Sequence, residues 1–113
     1  MCAENISVSM SGRIRQSKIE VVGVYKRGQN DTFQTPHWVK NEHAIWFDTK
    51  FGNWKIGPLD QIGSSTCRFY TTSGPPCPDS QSTEWMVDYN SEWIPAYGFI
   101  NVTAQRNSES QIP

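Results

Sequence analysis

No part of this chain sustains apolar residues at a spacing of about 3.6, the signature of a helix face. It carries instead short runs in which apolar and polar residues alternate, each closed by Gly, Pro, Asn, Asp or Ser. Side chains alternate across a strand, so a period of two marks a segment that buries one face. Eight or so such runs, separated by turn signals, predict an all-β domain, an antiparallel small sandwich or barrel of about eight short strands. No helix longer than about two turns is expected.

The runs fall in a readable order. Ile6, Val8 and Met10 alternate with Ser7 and Ser9. Residues 19–25 form the strongest β-branched run and read as a central strand, with Gly23 at a bulge or close approach. Residues 37–40, 67–71, 85–89, 93–94 and 97–103 supply further strands. Residues 11–18, 26–36 and 59–66 read as polar connections, and 73–82 contains Gly74-Pro75-Pro76-Cys77-Pro78, which no regular element accommodates. The segments Ile6-Ser7-Val8-Ser9 and Ile100-Asn101-Val102-Thr103 look alike. They are expected to pair as first and last strands, which brings the termini together and suits a module strung in series. A single domain over residues 1–104 and a polar tail over 105–113 follow.

Most of the large aromatics lie in or beside residues 44–58, which read as a β-hairpin. Its turn runs from Asp48 to Asn53, with Gly52 at the position of positive φ. Pairing Asp48 with Asn53 sets Phe47 opposite Trp54, Trp46 opposite Lys55 and Ile45 opposite Ile56. One face then carries Ile45, Phe47, Trp54 and Ile56, a core face. The other carries Ala44, Trp46, Asp48, Asn53 and Lys55, a wetter face with one indole on it. Trp46, flanked by Asp48, Asn53 and Lys55, is the candidate ligand-binding group: an aromatic platform beside short polar side chains suits a sugar ring. The competing reading buries Trp46 under residues 18–25.

Composition narrows the function. Aromatic residues make up 12% of the chain and hydrophobic residues only 36%, so the core must rely on large rings. A net charge of -1 argues against a nucleic-acid partner, which selects for a basic surface. No apolar run is long enough for membrane insertion. The first residues carry no apolar stretch of the signal-peptide kind, which suits a cytoplasmic protein or an excised domain. Against that, Asn5, Asn30 and Asn101 each open an Asn-x-Ser/Thr sequon where chance predicts about one, which leans towards secretion. The cysteines are Cys2, Cys67 and Cys77, an odd number. A bridge between Cys67 and Cys77 would clamp the Pro-rich loop; the alternative is that both stay reduced.

No motif carries recognisable chemistry. His37, His43, Cys67 and Cys77 lack the spacing of a zinc site, no Gly-x-Ser-x-Gly elbow occurs, and the acidic residues are scattered. No catalytic residue, metal or cofactor is expected, and the chain is not read as an enzyme. In order, Gly23-x-Tyr25, Pro36-x-Trp38-x-Lys40, Ile45-Trp46-Phe47, Trp54-x-Ile56-Gly57, Cys77-Pro78 and Trp85-x-Val87 form a series. That series resembles small tandem aromatic-rich β-modules of secreted and cell-surface proteins in marine invertebrates and protists. The resemblance implies an adhesion or recognition role. The leading expectation is therefore a non-catalytic recognition module, extracellular or at the cell surface, with a glycan or protein ligand, either as a repeat within a larger chain or as an oligomer. The rival is an intracellular β-domain that binds a protein partner, and a small hydrolase ranks last.

Overall fold

The computed structural model of the 113-residue chain describes residues 2–28, 36–80, 83–96 and 98–105. Among these, the strands are β1 (Asn5–Met10), β2 (Gly23–Arg27), β3 (His37–Lys40), β4 (His43–Asp48), β5 (Asn53–Pro58), β6 (Phe69–Thr71), β7 (Trp85–Tyr89), β8 (Glu92–Pro95) and β9 (Ile100–Gln105). They form one nine-stranded sheet in the order β8-β7-β6-β5-β4-β3-β2-β1-β9, antiparallel throughout. Eight strands run as a simple meander, and the ninth returns to the far edge beside β1.

That return requires the sheet to curl. From Pro95 to Ile100 the chain can reach roughly 18 Å at most. A flat sheet of this width would separate its edges by roughly 38 Å. The two edges therefore approach each other, and the sheet bends into a half-barrel. Backbone bonds mark the approach: Ala96 N–H donates to the Trp85 carbonyl at 2.8 Å, Phe99 N–H to Ala96 at 2.9 Å, and Ser11 N–H to Phe99 at 2.9 Å. The two layers of a sandwich are replaced by facing walls of a single sheet.

The concave face holds one core. Ile6, Val8, Tyr25, Trp38, Ile45, Trp54, Ile56, Phe69, Trp85, Val87 and Val102 meet there, so eight of the nine strands contribute a buried side chain. The expected pairing of the first and last strands is present, with Val8 opposite Val102 and Met10 opposite Ile100. In the hairpin, Asp48 faces Asn53, Phe47 faces Trp54, Trp46 faces Lys55 and Ile45 faces Ile56, as the alternation predicts. Gly52 takes φ 70° in its turn.

Two segments differ most from the sequence reading, and two of the expected strands begin later, at Phe69 and at Ile100. Residues 11–18 contain a short helix α1 (Gly12–Ser17), which drops Ile14 into the core. Residues 19–25 are not a continuous strand: Ile19–Val21 is a 3-10 turn, and only Gly23 onward joins the sheet. The turn wins because Val21 N–H donates to Lys18 and Val22 N–H to Ile19, while the buried Tyr25 hydroxyl donates to the Val21 carbonyl at 2.7 Å. Gly23 is at a close approach, as expected, with the Lys40 side chain where a Cβ would stand. Gln105, read as the first tail residue, is the last of β9. Residues 106–113, the loop residues 29–35 with the Asn30 sequon, and Tyr97 lie outside the described residues.

The disulfide also differs. Cys2 is bridged to Cys77, with Cα atoms 5.5 Å apart, and Cys67 is a buried free thiol. Two core indoles, Trp38 and Trp54, explain this pairing. Their ring centres lie 5.8 Å apart. Trp38 Nε1 donates to the Ala3 carbonyl at 3.0 Å, and Trp54 Nε1 donates to the Pro75 carbonyl at 2.7 Å. The N-terminal segment and the Pro-rich loop are thus held side by side, whereas Cys67 packs on the convex face.

Candidate functional site

The convex face carries the second set of alternating residues. Register aligns His37, Trp46, Lys55, Tyr70, Met86 and Pro95 in one row across β3 to β8. Part of this row is covered. Residues 59–67 fold back over β4 and β5, and Cys67 and Ile62 pack against Ala44 and Trp46. Gly57 permits the close overlay, since a Cβ there would stand 2.9 Å from Cys67 Cα and 3.2 Å from the Trp46 ring. Trp46 is consequently 1% exposed. It faces away from the main core as the alternation predicts, but it is not a surface platform, and the cover is residues 59–67 rather than 18–25.

Beyond the covered part lies an open groove of about 340 Å³, lined by Phe51, Asn53, Lys55, Ser65, Cys67, Tyr70 and Trp93. Two of the four expected binding residues, Asn53 and Lys55, line it; Asp48 lies behind them, and Trp46 is sealed beneath. The floor is a buried polar cluster. Lys55 Nζ donates to Asp48 Oδ2 at 2.9 Å and to Asn53 Oδ1 at 2.9 Å, and lies 4.7 Å from the centre of the Phe51 ring. Asn53 Nδ2 donates to the Thr71 carbonyl at 3.1 Å. Asp48 also closes its own turn, with Lys50 N–H and Phe51 N–H donating to Oδ1 at 2.9 and 3.1 Å. Burial opposes ionisation of Asp48, but the Lys55 hydrogen bond and the two backbone donors outweigh it and hold the carboxyl below its usual range.

The walls are aromatic. Phe51 sits at the hairpin tip and is 61% exposed, and Trp93, on the outermost strand β8, is 44% exposed. Tyr70 packs edge-on against Trp93 with ring centres 4.8 Å apart. Ser65 and Tyr70 bring hydroxyls to the lining. The sequence reading missed Phe51, Ser65, Tyr70 and Trp93. A partial signal existed: Phe69 and Ile94 take the inner face, so period two turns Tyr70 and Trp93 outward.

Every titratable group at the floor is engaged in a hydrogen bond or shielded. Burial pushes the Cys67 thiol up to about 11, so it stays protonated at neutral pH and is a poor nucleophile. Among the described residues, no three His, Cys, Asp or Glu side chains converge as a metal site. Cys77 is held in the bridge to Cys2. No helix among the described residues is long and apolar enough to cross a membrane. Comparison with protein-family models, curated protein sequences and solved structures finds no match to this chain.

Proposed function

We propose that this protein is a non-catalytic recognition module that binds glycans in the groove between the β4–β5 turn and β8. One observation carries the reading: three rings, Phe51, Tyr70 and Trp93, stand in or at the edge of water around a rigid floor of Asn53 and Lys55. Exposed rings of this size are costly to leave wet unless a ligand covers them. Sugar C–H faces stack on such rings, while hydroxyls bond to Asn, Ser, Tyr and Lys. Asp48 acts indirectly, by neutralising and orienting Lys55.

The extracellular or cell-surface placement is part of the same proposal. A bridge joining residues 75 apart in sequence forms and persists in oxidising compartments. This favours the secreted reading over the intracellular one. Strand pairing also sets Asn5 opposite Gln105, which supports a unit strung in series, in line with the adhesion modules that the aromatic pattern resembles.

A glycan array probed with wild type and with Trp93→Ala tests the reading. Wild type is expected to bind a subset of glycans, and Trp93→Ala to lose about tenfold or more in affinity, as a central aromatic anchor should. Silence of the wild type on the array, or unchanged binding by Trp93→Ala, overturns it.

A further inference from the structure

The sequons at Asn5 and Asn101 have the same local pattern, a strand residue with Ser or Thr two positions on, yet the fold treats them differently. Asn101 and Thr103 lie on β9, the outermost strand at one edge of the sheet among the described residues. Val102 between them points into the core, so both face outward, and both are exposed. On its one paired side Asn101 faces Ser9, a small exposed residue. Asn5 instead lies on β1, flanked on both sides, by Lys26 of β2 and Gln105 of β9. Asn5 and Ser7 are half-buried.

We infer that Asn101 is an N-glycosylation site and that Asn5 is not. In the transfer, a lipid-linked oligosaccharyl diphosphate is the donor. The bond from sugar C1 to the phosphate oxygen breaks, C1 bonds to Asn101 Nδ2, the amide releases one proton, and the lipid diphosphate leaves. The folded sheet accommodates the product at Asn101, because the side chain projects into solvent from a strand with one neighbour. At Asn5 the same glycan would leave from a half-buried side chain with Lys26 on one side and Gln105 on the other, so the native packing around it would have to give way. The inference rests on the secreted reading above, though not on the ligand proposed for the groove.

The test directs the full chain into the secretory pathway of a eukaryotic cell. Amidase release of N-glycans in heavy-oxygen water is followed by peptide mapping of both the secreted and the intracellular pools, with the Cys2–Cys77 bridge read in the same non-reducing map. Bridged protein is expected to carry the heavy-oxygen mark at Asn101 and none at Asn5, and Asn101→Gln and Thr103→Ala should each remove one glycan. Bridged protein without the mark at Asn101 overturns the site while leaving the binding groove untouched. Asn5 occupied in bridged protein as fully as Asn101 overturns the burial argument. A chain that forms no bridge in either pool defeats the secreted reading on which the inference stands.

Discussion

Trp46 and Trp93 show how little a residue's identity says about its role. Both lie on the convex face, both have high strand preference, and one is sealed while the other stands in water. Truncating Trp46 to Ala should cost about 3–5 kcal/mol, as Trp54→Ala should, because each leaves a buried cavity. Trp93→Ala should change stability by less than about 1 kcal/mol. Denaturant titration of the three variants checks this ordering. The buried ion pair gives a pH signature. Asp48 has a lower pKa in the folded chain than in the unfolded one, so its contribution is fully present above the ordinary carboxylate value of about 4 and disappears as pH falls through the lower folded value. Acid titration of the denaturation midpoint should show this decline, and Asp48→Asn should flatten it. At neutral pH Asp48→Asn should cost about 3–5 kcal/mol by stranding the Lys55 ammonium, whereas replacing both residues with apolar ones should cost less.

At the scale of elements, two irregular segments cover the two faces of the β4–β5 hairpin. Residues 59–67 cover Trp46 and bring Ser65 and Cys67 to the groove. The Pro-rich loop closes the other face over Trp54 and is tied to the N-terminus by Cys2–Cys77. Because that bridge spans 75 residues, removing it with Cys2→Ser or Cys77→Ser should lower stability by roughly 4 kcal/mol in the chain-entropy view. Calorimetry under oxidising and reducing conditions measures the loss. In the oxidised native protein Cys67 should resist alkylation, since burial keeps its thiol protonated and covered, and it should react once the chain unfolds.

For the whole molecule, the shared core implies a single cooperative unit. Side chains from β1, β2, β3, β4, β5, β6, β7 and β9 pack in one cluster, so no subset of strands keeps a core of its own. Ending the chain after Phe99 removes β9, uncovers the β1 edge, and takes Val102 from the cluster. That truncated chain should lose its cooperative transition and associate, which gel filtration with scattering detection would show; a folded monomer would contradict the view that β9 is integral. The full chain should give coincident transitions by tryptophan fluorescence and far-UV circular dichroism.

Much of this was already legible in the chain. Alternation is local, so the all-β class, the hairpin register from Ile45 to Ile56, and the β1–β9 likeness could be read directly. The inner and outer faces of the hairpin followed from the same period. The 3-10 turn at Ile19–Val21 was missed because β-branched residues suit a strand, while the Tyr25 hydroxyl that ties the turn acts only after β2 has taken its place. Which cysteine pairs with Cys77, what covers Trp46, and which rings share the groove were decided by tertiary structure alone. Each depends on segments far apart in sequence meeting across the curl. Trp38 and Trp54 set Cys2 beside Cys77, and β6 and β8 set Tyr70 against Trp93. A period of two states which side a residue faces; only the curl of the sheet determines what waits on that side.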